Sequence, residues 1–378
     1  MTAENSPLKQ LLAAAHTPLT AWSEHYPEQR AVGYMCTYVP EEMIHAAGFV
    51  PVRVRTTHQV PTHADGHIQS YTCALCRSAL DQLLRGELHF LAGMVLAHTC
   101  DTMQALADMW ALNIEADKSW VETVMVPTNL VTPSARPYLI AELKRFRDRL
   151  AAHSGRPLSD ETLQSSIALY RRKRHLLGQL SELRDRLTAT EFYSVVDAGM
   201  KMPPASYVPL LAALIEHLRS APARPSHPRV MLVGAVLDDP TLLDVLDDLG
   251  AQVTDDDLCT GTRSFATVET EAKAPLEAVA DRLLKRRPCP VKYQPQMPRG
   301  LYLRQRVQET RTDGVIFVLP KFCDPHAFDY VLVKADLETA GVPFLHLETE
   351  QTPAAGQIRT RVQAFLEMLD ERSPVADN

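Results

Sequence analysis

Gly314-Val315-Ile316-Phe317-Val318-Leu319 is an unbroken apolar run, and Pro320-Lys321-Phe322-Cys323-Asp324 follows it directly. Such a run, rich in β-branched residues, reads as a buried strand. A helical pattern opens just after Asp324. The same order occurs earlier, where Gly93-Met94-Val95-Leu96 leads into Ala97-His98-Thr99-Cys100-Asp101. Each half of the chain therefore places a Cys-Asp pair at the carboxyl end of a strand, the position where open parallel sheets bind ligands. A cysteine there also faces a helix N-terminus, whose partial positive charge favours the thiolate. Two such cysteines across a cleft suit a metal cofactor better than a disulfide.

Outward from these corners the halves look like divergent copies of one β-α-β plan. In the first, strands are expected over Ala31–Tyr38, Phe49–Val54, Phe90–Leu96 and Val121–Val126, with a helix opening at Pro40-Glu41-Glu42 and stopping at Gly48. Met103, Leu106, Ala107 and Trp110 fall at i, i+3, i+4 and i+7 on one helix face. In the second, Arg229–Val233, Ala251–Thr254 and Pro343–Leu347 read as strands and Asp239-Pro240 opens a helix. Phe328, Val331, Leu332 and Ala335 trace another helix face over Pro325–Ala340, and Gln357–Leu369 is a last amphipathic helix. The domains are expected as a helical, peripheral extension over 1–30, a first α/β domain over 31–133, a helical connector over 134–220 with Ser159 capping a helix, and a second α/β domain over 221–378. The Pro-rich stretch Ala221–Pro228 marks the boundary.

A chain of 378 residues favours two domains. It has no apolar run long enough to span a membrane. Met1-Thr2-Ala3-Glu4-Asn5 shows no secretory signal, and a formal net charge of −7 argues against a nucleic-acid surface. Seven cysteines, an odd number, point to metal or catalytic use rather than a disulfide framework, in a cytoplasmic setting. There is no GxxxxGK[ST] and no GxGxxG after a strand, so neither ATP hydrolysis nor a nicotinamide or flavin cofactor is supported.

Cys100 and Cys323 are the leading ligand candidates, each against the plain alternative of a small buried hydrophobe. Cys73 and Cys76 form Cys-Ala-Leu-Cys ahead of a helix over Ser78–Leu84. A closed zinc site of Cys73, Cys76, His98 and Cys100 can be drawn, but it leaves Cys323 unused. An iron–sulfur cluster held by Cys73, Cys100 and Cys323 would keep one iron position open. Cys36, inside a strand, and Cys289, between prolines, read as structural, and Cys259 sits on a loop. Asp255-Asp256-Asp257 reads as a solvated loop rather than a cation site.

The same residues resemble the 2-hydroxyacyl-CoA dehydratase / benzoyl-CoA reductase family. The resemblance is carried by Gly33-Tyr34-x-Cys36-x-Tyr38-x-Pro40-Glu41-Glu42, Cys73-x-x-x-Arg77-Ser78, Thr99-Cys100-Asp101, Asp257-x-Cys259-x-Gly261-x-Arg263, Phe322-Cys323-Asp324-Pro325 and Gly341-x-Pro343-x-Leu345-x-Leu347-Glu348. It spans about residue 31 to residue 369. It implies two Rossmann/flavodoxin-like α/β domains with parallel four-stranded sheets, and a [4Fe-4S] cluster on Cys73, Cys100 and Cys323 with one open iron site. Cys76 departs from the usual apolar residue, so it could replace Cys73. Also implied are an acyl-CoA substrate, a paralogous core subunit, ATP-hydrolysing cluster-containing activator subunits and a ferredoxin upstream. Two reactions compete: dearomatising reduction of benzoyl-CoA to cyclohexa-1,5-diene-1-carboxyl-CoA in anaerobic aromatic degradation, and radical dehydration of a (R)-2-hydroxyacyl-CoA. The Arg-rich basic set suggests a GC-rich genome, which resembles aromatic degraders carrying the reductase, and Lys321-Phe322-Cys323-Asp324-Pro325-His326 with the chain length resembles its smaller cluster-bearing subunit. Glu42, His98 and His326 stand as proton-donor candidates by position. A reading of another class makes this chain an electron-transfer or scaffold subunit, and a further one a zinc-stabilised binding protein.

Overall fold

The structure is a computed structural model that describes residues 6–372, apart from positions 58, 116, 226, 267, 269, 271, 273 and 351–354. Met1–Asn5, read above for a signal, and Ser226 of the Pro-rich stretch lie outside the described residues. Among the described residues eight strands form two sheets: β1 (Ala31–Tyr34), β2 (Val50–Arg53), β3 (Leu91–His98), β4 (Trp120–Met125), β5 (Arg229–Gly234), β6 (Gln252–Asp257), β7 (Gly314–Pro320) and β8 (Phe344–Thr349). The strand orders are β2-β1-β3-β4 and β6-β5-β7-β8, with every pairing parallel. These are two Rossmann/flavodoxin-like α/β units of one topology. In each, strand order reverses beside the central strand, at β1/β3 and at β5/β7, and the crevice at such a reversal is where ligands sit.

Both faces of each sheet are covered, because side chains alternate along every strand. Val32, Tyr34, Val95, Ala97 and Val124 enter one core, while Val50, Val52, Leu91, Met94 and Leu96 enter the core on the opposite face. In the second sheet Val230, Leu232, Ile316 and Val318 point one way, and Met231, Val233, Val315, Phe317 and Leu319 the other. Gly234 is demanded by close approach: a Cβ there would lie 2.0 Å from the Val318 carbonyl oxygen.

The helical stretch supplies layers to both units. Helix Ala135–Ser154 buries Leu139, Leu143 and Phe146 on the first sheet, whereas helices Ala189–Lys201 and Pro204–Arg219 bury Val195, Leu211 and Leu214 on the second. Ser159 caps helix Asp160–Ser181 by accepting from the Thr162 N–H. Helix Pro275–Leu284 comes from the second half, yet Val279 and Leu283 join the core of the first sheet. The two halves are therefore interleaved rather than strung in sequence.

Four expectations are corrected. The opening helix, Pro7–His16, is not peripheral, since Leu11 is fully buried in the second unit's core. Cys36 lies in the turn beyond β1, which is shorter than its apolar run. Asp255, Asp256 and Asp257 form no solvated loop: they end β6 fully buried, paired with Arg306 at 2.7 Å, Arg184 at 2.5 Å, and Arg263 and Arg299 at 3.2 and 2.6 Å. Helix Asp324–Thr339 turns Val333 and Leu337 inward, leaving Phe328 and Leu332 78% and 72% exposed.

Candidate functional site

Cys73, Cys100 and Cys323 are the N-cap residues of three helices: Ala74–Leu84, Asp101–Leu112 and Asp324–Thr339. The first of these begins earlier than its sequence suggested, so Cys73 takes the same station as the other two. β3 and β7 deliver Cys100 and Cys323 from the two sheets. All three line one cleft of about 530 Å³ between the units, with Thr99, Lys292 and Tyr293. Phe322, just before Cys323, holds φ at 63°, the left-handed region that side chains other than glycine seldom occupy. Strain of this kind clusters at functional sites.

Position at a helix N-terminus does not lower all three thiols. The neighbouring Cys76 thiol brings Cys73 below the ordinary thiol value, helped against burial by the backbone N–H groups of the helix. Burial pushes Cys100 up to about 11. Burial, then the neighbouring Cys73 sulfur, pushes Cys323 up as well. Desolvation and mutual repulsion thus outweigh the helix dipoles at two of the three, and three bare thiolates do not sit here unaided. Cys76 itself is turned into the core, its Sγ 3.5 Å from Met103 Sδ.

The proposed proton donors separate. His326 joins the cysteines, with Nδ1 3.3 Å from Cys323 Sγ. Burial, together with Arg263 and Arg299, holds its imidazolium well below the usual range, so the ring is neutral. His98 stands at the end of β3 but bonds Gln104 Oε1 at 2.7 Å and does not line the cleft. Glu42 is elsewhere: Arg282 donates to both its oxygens at 2.8 and 2.9 Å. Burial would raise its pKa, but Arg282 and Arg174 overcome that and leave it below the usual carboxylate range. An anion so held ties helix Glu41–Ala46 to helix Pro275–Leu284 and has no proton to give.

Lys292 and Tyr293 escaped the sequence reading. They reach the cleft because the Tyr293 N–H donates to the Thr128 carbonyl at 2.8 Å and Lys292 Nζ to the Val126 carbonyl at 2.8 Å, laying the loop along the end of β4. No local pattern announces such a contact. Among the described residues no helix is long and apolar enough to cross a membrane, and no group of three His, Cys, Asp or Glu residues is arranged to hold a metal ion.

The doubly repeated α/β fold brings helix-capping cysteines from both units to one cleft. Residues 36–369 match the family model described as 2-hydroxyglutaryl-CoA dehydratase, D-component, and the chain belongs to that family. It is 29% identical to the (R)-phenyllactyl-CoA dehydratase beta subunit of Clostridium sporogenes, over 90% of this chain and 92% of that protein. It is 26% identical to the beta subunit of lactoyl-CoA dehydratase of Anaerotignum propionicum, over 96% and 98%. It is 27% identical to one of the subunits of benzoyl-CoA reductase of Thauera aromatica, over 93% and 94%.

Proposed function

We propose that this chain is the iron–sulfur subunit of an ATP-dependent benzoyl-CoA reductase. The observation that carries the reading is the convergence of Cys73, Cys100 and Cys323 on one cleft, in a chain similar to a subunit of that enzyme over nearly its whole length. The donor set suits an iron–sulfur cluster: three thiols, the ligand type such clusters take, line one cleft, and a cationic group would relieve the repulsion that helps raise Cys323. The zinc alternative fits less well, because Cys76 faces Met103 and His98 faces Gln104. Bound at the three cysteines, the cluster would supply electrons at low potential, with one iron free of protein ligands. The chain's own part is to fix the three sulfurs at helix N-termini, to shield them under the loop carrying Lys292 and Tyr293, and to leave a cleft mouth for an acyl thioester. Phe322, Phe328, Leu332 and Tyr293 form an exposed apolar surface at that mouth, which a paralogous core subunit would cover. Activator subunits that hydrolyse ATP, with a ferredoxin behind them, would feed electrons in, and the complex would work in the cytoplasm.

Radical dehydration of a (R)-2-hydroxyacyl-CoA is the second reading, favoured by the likeness to two dehydratase beta subunits. One assay separates them. The complex is given benzoyl-CoA, ATP and a low-potential donor under anaerobic conditions. Stoichiometric donor consumption with diene formation supports the reductase, and catalytic electrons with an enoyl-CoA product from a 2-hydroxyacyl-CoA support the dehydratase. Full turnover by Cys323→Ala would instead leave this chain as a scaffold.

A further inference from the structure

We propose that His326 is a positioning residue for Cys323: its Nδ1–H hydrogen-bonds the Cys323 thiolate and raises the reduction potential of the cluster that this sulfur would hold. The inference rests on the iron–sulfur reading above, and it gives His326 a role other than proton donor. The contact is built into the first turn of helix Asp324–Thr339. The His326 N–H donates to the Cys323 carbonyl at 3.1 Å, Pro325 fixes the turn, and Nδ1 comes to 3.3 Å from Sγ. A thiolate has no proton, so once Cys323 is ionised only the ring N–H can fill that contact.

The ring's other end shows why it is not a proton relay. The residue is only 6% exposed, and Nε2 makes no well-formed hydrogen bond among the described residues. A buried imidazole whose one well-formed polar contact is to a ligand sulfur acts on that sulfur. Hydrogen bonds to cluster sulfurs are among the factors that set iron–sulfur potentials, because they stabilise the extra negative charge of the reduced state.

The three sulfurs also differ in what they are given. Cys323 has the His326 ring within hydrogen-bond reach, whereas Cys73 and Cys100 face backbone N–H groups of the helices they cap. Cys323 is thus the one ligand of the three with a ring donor, and it lies on the unit opposite Cys73 and Cys100.

The test uses the full chain with its partner, purified anaerobically, as wild type, His326→Leu and His326→Asn. The readouts are iron and acid-labile sulfide content, the cluster midpoint potential by EPR-monitored titration, and exchangeable-proton couplings by pulsed EPR after transfer to deuterated buffer. The leucine variant should show about a tenfold smaller reduced-to-oxidised ratio at a fixed poise, a fall of ~59 mV for one electron. It should also lose one exchangeable coupling. Asparagine, which places an amide N–H near the position of Nδ1, should recover most of the potential and the coupling. Unchanged potentials in both variants, or an asparagine variant shifted as far as leucine, would overturn the proposal. If leucine loses the cluster, asparagine decides: a near-native potential with the coupling present supports the role, and a coupling absent from both asparagine and wild type sinks it. A wild-type protein without iron and sulfide removes the iron–sulfur reading and this inference together, whereas a normal cluster with unmoved potentials removes the inference alone.

Discussion

The corners at Cys100 and Cys323 share a strand, a cysteine cap and a helix, yet their surroundings are opposite. Helix Asp101–Leu112 lays Met103, Leu106 and Trp110 against the sheet and helix Ala74–Leu84, where Leu106 and Trp110 are essentially inaccessible. Helix Asp324–Thr339 keeps a comparable apolar stripe in solvent. The edge strands diverge as well: β2 ends on Arg53, whose Nη1 donates to the Cys259 carbonyl at 2.8 Å, while β6 ends on Asp257 between two arginines. One topology thus carries a self-contained corner in the first unit and an unfinished one in the second. Periodicity reports that a helix has an apolar face, and says nothing of whether anything covers it.

The sharpest way to break this contrast is at the edge strands. Asp257→Asn leaves Arg299 its second partner, Asp329 at 2.7 Å, but strips the buried Arg263 of its carboxylate, and should destabilise by about 3–5 kcal/mol. Arg53→Met loses one charge-assisted bond and should cost about 1–3 kcal/mol. Denaturant midpoints with unchanged slope would measure both, and equal losses would contradict the ranking. Leu106→Ala should then cost about 2–5 kcal/mol and Leu332→Ala less than about 0.5 kcal/mol in the isolated chain. In a complex with the proposed second subunit, Leu332→Ala should weaken association instead, read by analytical ultracentrifugation.

Acid should act on both units. Burial opposes ionisation of Glu42 and Asp256, but Arg282 with Arg174, and Arg184, respectively, leave both below their usual values. Unfolded carboxyls titrate near about 3.9–4.3, so the unfolded chain takes up protons first as pH falls. The stability these pairs give is therefore complete above that range. It is lost as pH drops through the folded values, by at most ~1.4 kcal/mol per pH unit for each group. Glu42→Gln should flatten the fall between pH 5 and pH 3 in urea titrations. The smallest effect concerns the residue before each cap. Phe322→Gly relieves a left-handed backbone and should be neutral or stabilising by up to about 1 kcal/mol, while Thr99→Gly should cost roughly 0.5–1 kcal/mol.

Much of this was legible in the sequence because it is local. The strand–cysteine–helix corners and most element bounds follow from short-range alternation and capping, and the family resemblance from spaced motifs. The buried aspartates were not legible. Arg184, Arg263 and the pair Arg299 and Arg306 come from three separate segments, so a run of three acids looked solvated when each already had its own counter-charge. Glu42 was misplaced for the same reason: Arg282 lies in the other half of the chain. Lys292 and Tyr293 depend on a loop held by bonds to backbone carbonyls, which leave no mark on composition.

Three sulfurs capping three helices, two from the first unit and one from the second, also set a schedule. Cys73 and Cys100 emerge during synthesis long before Cys323, and the first sheet long before helix Pro275–Leu284, which packs on it. Until then a partly made chain offers two thiols of a three-thiol site. On the cluster reading proposed above, loading is an act of the finished polypeptide.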